Sequence, residues 1–320
     1  MYDKLGRATR FCAGACSVWA VYQYLHKAVE NIIEFDCLYA LGMFSRNLDQ
    51  SSCLPEFIPI EESNKAVLNL RDSYHPSLVM STSEIVPNDI LLNCEENPKS
   101  CYVVTGPNMG GKSTLMRQTA LLSILAHMGS MVPASNFLLT PIDRIFTRIG
   151  ASDKILTGES TFLVEMSEMG YILKHTTPQS LLLVDELGRG TSTFDGAAIA
   201  SAVLRYICNA SLQSPRTIFS THYHNMLEKI TRDEKLMTNI RVGHMGCKSK
   251  DLEITDVDTE VGVNSVEKVT FLYKLTDGVC PKSYGFNVAL MAKLPSKIIL
   301  NAITKAKELE RATETVMLLK

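Results

Sequence analysis

Gly106-Pro107-Asn108-Met109-Gly110-Gly111-Lys112-Ser113 decides how the rest of this sequence is read. It fills every fixed position of the pattern GxxxxGK[ST], and Thr114 continues it into the next segment. Before it stands Tyr102-Val103-Val104-Thr105, expected to be a buried strand; after it, Lys112 to His127 is expected to be a helix. The flanks carry the meaning. Glycines at the end of a strand let backbone N–H groups curl around phosphate oxygens, and the helix start adds a favourable dipole. Lys112 is then placed to reach β and γ phosphates, and Ser113 to ligate Mg²⁺.

Two further apolar runs end in polar residues. Leu181-Leu182-Leu183-Val184 leads into Asp185-Glu186, about 70 residues after the loop. An acid at the mouth of a sheet can hold Mg²⁺, directly or through its water, and the next acid can orient or deprotonate an attacking water. Thr217-Ile218-Phe219-Ser220 leads into Thr221-His222-Tyr223, which puts His222 near a bound γ-phosphate. His175 and His224 read as structural. Strands apolar on both faces, alternating with helices, argue for an α/β fold with a mainly parallel sheet covered on both sides.

Gly158-Glu159-Ser160-Thr161-Phe162 precedes a helix containing Glu165, Met166 and Met169. Ser160 fits a helix cap. It also fits an element that offers a hydroxyl and a helix dipole to a phosphate bound by a neighbouring subunit. The stretch Leu187 to Gly196, rich in Gly and Thr, reads as an interface or switch loop.

The remainder is less specific. A helix is expected from about Val18 to Phe44, and a loop from Ser51 to Pro59. Short strands are expected at Ile85-Val86 and Ile90 to Leu92, and a solvated loop at 246–269. A closing helix from Pro295 to Glu310 is expected to bury Ile298, Ala302, Ile303, Ala306 and Leu309. Lys4, Arg7 and Arg10 before Phe11 to Val21 imitate a signal peptide, but Gly14 and Ser17 interrupt that run and no such signal is expected. No apolar run is long enough to span a bilayer. Nine cysteines without CxxC spacing fit free thiols. A net charge of −2 leaves nucleic-acid binding to a local patch or to parts elsewhere.

Taken together, TGPNMGGKSTLMRQ, GESTFLVEMSE, LLLVDELGRGTSTFDG, FSTHYHNM and CPKSYGFNVALMAKLP resemble the MutS family of DNA mismatch-repair proteins, in that family's order. The stretches RIGASDKILTGESTF, IRVGHMGC and TFLYKLTDGVCPKSYGFN look most like the eukaryotic branch that forms one half of the nuclear MutS-alpha heterodimer. The resemblance implies an ABC-type P-loop ATPase using ATP and Mg²⁺, with nucleotide bound by Gly106 to Thr114. Asn108 would lie beside the γ-phosphate, and Asp185 and Glu186 would be the Mg²⁺ and water-activating acids. His222 would be a switch histidine, and Ser160 would serve the partner's nucleotide in trans. It further implies a second MutS-family subunit as partner, DNA reached through the complete protein, a nuclear location and no membrane.

The expected organisation is a helical lever remnant over 1–60, the ATPase domain over 61–280 and a dimerising helix-turn-helix over 281–320, around Ser283-Tyr284-Gly285. The family's aromatic residue against adenine is replaced by Ile85, in Ile85-Val86-Pro87-Asn88. Mismatch-reading and clamp regions are not found, so the chain is expected to be a fragment, a truncated isoform or an incomplete gene model, without mismatch-selective binding of its own. A truncated dimerisation module without activity is the alternative. A transporter-like ABC ATPase is disfavoured because GESTF stands where an LSGGQ-type signature would.

Overall fold

The computed structural model describes residues 2–48, 52–81, 85–150, 160–209, 214–252, 266–280 and 284–318. Gly158, Glu159 and Ser283, named above, lie outside the described residues, as does the centre of the expected loop at 246–269. The chain divides into two compact units, 1–52 and 53–320.

The first unit is one helix, α1 (Tyr2–Arg46). It begins well before Val18. No proline interrupts residues 2–46, and a lone glycine such as Gly14 costs a helix only about 1 kcal/mol relative to alanine. Tyr24, Ile32, Phe35 and Leu38 on it are exposed.

The second unit is built on two sheets. β1 (Glu56–Phe57), β2 (Leu68–Ser73), β3 (Asn88–Leu92) and β5 (Asn136–Leu139) form the smaller one, in the order β1-β5-β2-β3. The larger sheet has the order β10-β9-β4-β8-β7-β6. Its members are β4 (Cys101–Thr105), β6 (Ile145–Arg148), β7 (Leu181–Asp185), β8 (Arg216–Ser220), β9 (Ile240–Leu252) and β10 (Val266–Asp277). From β9 to β6 every pairing is parallel; β10 is an antiparallel edge strand. The helices are α2 (Pro76–Val79), α3 (Lys112–His127), α4 (Thr161–His175), α5 (Thr193–Ile207), α6 (His224–Thr231), α7 (Glu234–Met237), α8 (Gly285–Met291) and α9 (Ser296–Leu318).

Because side chains alternate along a strand, each apolar run feeds two cores. Tyr102, Val104, Leu181, Leu183 and Ile218 pack with α3 and the small sheet. Val103, Leu182, Val184 and Phe219 pack with α4, α5 and α6 on the other face. Arg216 joins the layers. Fully buried, it donates to the carbonyls of Val67, Thr140, Pro141 and Gln179, and burial pushes its guanidinium down to about 10.

Further expectations change: the loop expected from Ser51 to Pro59 contains the two-residue strand β1. Ile85-Val86 is not a strand: Pro87 has no N–H to donate, and β3 starts after it at Asn88. The polar stretch from 246 is not loop throughout, since β9 runs to Leu252 and β10 starts at Val266, paired from Val266↔Leu252 onwards. Polarity there is compatible with an antiparallel ribbon, which tolerates a solvated face. In α9 Ile299 is buried, and Ile303 and Ala306 from the expected face are half-buried, while Ile298, Ala302 and Leu309 are exposed.

Candidate active site

The loop between β4 and α3 turns through left-handed backbone at Gly106, Met109 and Gly111, with φ of 129°, 71° and 98°. A Cβ on Gly106 would stand 3.2 Å from the Met245 nitrogen, and one on Gly110 3.0 Å from the Pro107 carbonyl. The bare backbone is therefore required for the loop to close. Lys112 is buried, and its Nζ donates to the carbonyls of Gly106 at 2.8 Å and Pro107 at 3.1 Å. Burial lowers its pKa, against the opposing pull of Glu186 and Asp185.

The acids arrive from β7. Sheet register sets Asp185 opposite Ser220 on β8, and the Ser220 hydroxyl donates to Asp185 Oδ1. The Ser113 hydroxyl donates to Asp185 Oδ2, which ties the phosphate loop to β7. A hydroxyl beside a carboxylate is a hard oxygen donor set and suits Mg²⁺. Among the described residues no group of three or more His, Cys, Asp or Glu could hold a metal, so further ligands would have to come from phosphate and water.

Glu186 follows in a left-handed conformation, φ 52°. Its Oε2 lies 3.2 Å from His222 Nε2 and accepts from Arg189 at 2.7 Å, and its Oε1 is 3.8 Å from Lys112 Nζ. Burial pushes this carboxyl upward, yet His222, Lys112 and Arg189 together hold it below the usual range. It therefore stays ionised near neutral pH.

Two clefts meet at Ser113 and Glu186. One, of about 400 Å³, is lined by Ile85, Asn108, Met109, Lys112, Thr114 and Tyr273 among others. Tyr273 was not anticipated. It sits where β10 loses register between Phe271 and Leu275, with φ 53°. Asn88 holds that bulge: its Nδ2 donates to the Tyr273 carbonyl at 2.9 Å, and its Oδ1 accepts from Leu275 N–H at 2.7 Å. The ring lies beside Gly111 and supplies an aromatic wall in the cleft that Ile85 also lines. Only a bulge places it there, and nothing in the local pattern marks one. Arg189, within the Gly- and Thr-rich loop, carries no local signal for its contact with Glu186.

The second cleft, of about 470 Å³, is lined by Arg117, Arg148, Thr161, Glu165, Asp185 and Arg189 among others. Ser160 is not among the residues that line either cleft. It is exposed and caps α4, its Oγ accepting from Leu163 N–H at 3.2 Å. Lys112, Ser113, Asp185, Glu186 and His222 are thus brought together, and Ser160 is not.

Residues 102–310 match the family model of MutS domain V. The chain is 46% identical over 304 residues to the DNA mismatch repair protein Msh6 of Homo sapiens, a span of 93% of this chain and 21% of that protein. It is 42% identical over 290 residues to the probable DNA mismatch repair protein Msh6 of Drosophila melanogaster, covering 90% and 23%. The DNA mismatch repair protein msh3 of Aspergillus terreus is 41% identical over 293 residues, covering 91% and 24%. The chain therefore spans between a fifth and a quarter of the length of these relatives. A phosphate loop set against an acid pair on a parallel sheet is common to many nucleotide enzymes, but likeness at this level over nine-tenths of the chain is not, and the chain belongs to the MutS family of DNA mismatch-repair proteins, within its domain V ATPase region.

Proposed function

We propose that this chain binds ATP with Mg²⁺ and hydrolyses it as one half of a composite site. The other half would come from a second MutS-family subunit in a nuclear heterodimer. Nucleotide state would there be coupled to mismatch recognition, with DNA held by the complete protein and no membrane involved. The observation that carries this reading is the convergence of Lys112, Ser113, Asp185, Glu186 and His222 on one end of the sheet.

The residues then divide the work. Backbone N–H groups of 106–111 and the α3 N-terminus receive the phosphates, and Lys112 exchanges its two carbonyl partners for β and γ oxygens. Ser113 and Asp185 would hold Mg²⁺, which would supply charge neutralisation for the phosphates. Glu186 takes a proton as water attacks the γ-phosphorus, and the bond to the ADP oxygen breaks to leave ADP and phosphate. His222, in contact with Glu186, senses the γ-phosphate. Tyr273 faces the base where Ile85 gives aliphatic contact only. Ser160 exchanges its cap partner for the phosphate of the neighbouring subunit, and α8 with α9 forms the dimerising helix-turn-helix of 281–320. Residues 61–280 form the ATPase domain and 1–60 the end of the lever.

Single-turnover hydrolysis in mixed dimers, one P-loop disabled at a time, tests this. Adding the partner should raise turnover at this chain's site. Ser160→Ala should slow the partner's site and spare ATP binding at its own. Slowing confined to its own site would leave Ser160 a simple cap. No turnover by this chain with or without the partner would leave a non-enzymatic dimerisation module.

A further inference from the structure

Two side chains from other segments fasten the loop carrying Glu186 at one residue, two positions on. Gly188 N–H donates to Glu165 Oε1 at 3.0 Å, and the Gly188 carbonyl accepts from the Tyr223 hydroxyl at 2.9 Å. Gly188 itself has φ 90°, and a Cβ there would lie 2.5 Å from the Gly196 carbonyl oxygen. The loop is thus pressed against the start of α5 while both its polar backbone groups are held by side chains from elsewhere. Glu186 needs such support. A left-handed conformation is unfavourable for a residue with a side chain and persists only where the surroundings over-determine it.

The two side chains come from informative places. Tyr223 adjoins His222, so one short segment meets Glu186 through the imidazole and its loop through the phenol. Glu165 is buried in α4, with Arg148 at 3.7 Å to balance its charge. Arg148 also has Glu168 at 3.3 Å, and so stays paired if Glu165 becomes neutral. Glu165 lies five residues beyond Ser160, about 7.5 Å along the helix axis. A rigid helix carries any displacement of its N-terminus to that carboxylate.

We propose that Glu165 and Tyr223 are positioning residues that clamp Gly188 and thereby set the conformation of Glu186, and that Glu165 transmits the position of α4 to the general base of its own chain. This rests on the reading of Glu186 as that base. A change at the head of α4, where the neighbouring subunit's phosphate would sit, then alters turnover at this chain's own nucleotide without altering nucleotide affinity.

The test uses the full-length protein in its dimeric complex, with the partner's P-loop lysine replaced so that only this chain's site turns over. Single-turnover hydrolysis gives the rate, and titration with a fluorescent ATP analogue gives Kd. Glu165→Ala and Tyr223→Phe should each lower the rate about tenfold, in keeping with small misplacements of a reacting group, and leave Kd within about twofold. Glu165→Gln should restore most of the rate, because its amide oxygen still accepts from Gly188. The double variant should lose less than the product of the single losses, since both act on one residue. An unchanged rate in Glu165→Ala, a parallel loss of binding, or Glu165→Gln no faster than Glu165→Ala would overturn the proposal and leave a merely structural buried charge. Glu186→Ala is the control. If it hydrolyses at the parental rate, the base reading falls and the clamp with it; if it is inactive while Glu165→Ala is not, the clamp alone is refuted.

Discussion

The loop after β4 and the loop after β7 leave the same edge of one parallel sheet, and both force residues into left-handed backbone. They are held in different ways. The first closes mainly on itself: Gly110 N–H meets the Pro107 carbonyl at 3.1 Å, and Lys112 binds two carbonyls of its own loop, with outside ties at Ser113 to Asp185 and in packing on Met245 and Tyr273. The second is held from a distance, by Ser220 on the Glu186 N–H at 3.1 Å, by Glu165 and Tyr223 on Gly188, and by the packing of Gly196. A self-closing loop binds phosphate wherever a strand and a helix present it. A loop held by three other segments reports the state of those segments. Binding should therefore be robust to distant change and turnover sensitive to it.

Four substitutions probe that contrast. The largest effect is expected for Lys112→Ala, which removes the charged donor of the self-closing loop. Hydrogen bonds to charged groups contribute about 1.5–3 kcal/mol, so ATP affinity should fall roughly ten- to hundredfold in a binding titration. Gly188→Ala should strike the other loop. A Cβ against Gly196 in a left-handed conformation costs on the order of 1–3 kcal/mol, which calorimetry should read as a Tm lower by several degrees, together with slowed hydrolysis. An undisturbed Tm would mean that the loop is freer than this packing implies.

Asn88→Ala should be milder. It frees the bulge at Tyr273, and at about 1 kcal/mol for a lost hydrogen bond the nucleotide Kd should rise about fivefold with kcat unaltered. The smallest effect is expected from Arg189→Ala, on pH dependence. The folded-state pKa of Glu186 lies below the ordinary 4.5. Its stabilising contribution is therefore complete above the unfolded value and is lost as pH falls through the lower folded value. The acid limb of kcat should likewise fall below pH 4.5 and should move back toward it when the Arg189 charge is removed.

The same contrast separates what could be read from the sequence. Gly106 to Thr114, the ends of β7 and β8 and the whole of α3 were legible, because their signals are contiguous: apolar runs, a fixed glycine spacing, an acid or histidine at a strand end. Tyr273 was not, because a bulge and a side chain from residue 88 place it. The role of Gly188 was not, because it depends on segments 20 or more residues away in sequence. The small sheet was largely missed, its strands being short and separated by α3 and the large sheet's first strand. On α9 the sequence places Ile303 and Ala306 correctly but takes Ile298 for Ile299, which periodicity alone cannot separate, since both are equally apolar.

Glu186→Gln tests most directly the proposal that one loop binds and the other turns over. Its bound ATP should be followed through a single turnover in the proposed dimer, beside a titration of affinity. Near-parental affinity with hydrolysis slowed about a hundredfold or more is the predicted result. Hydrolysis at the parental rate would contradict it, and so would loss of binding in step with loss of turnover.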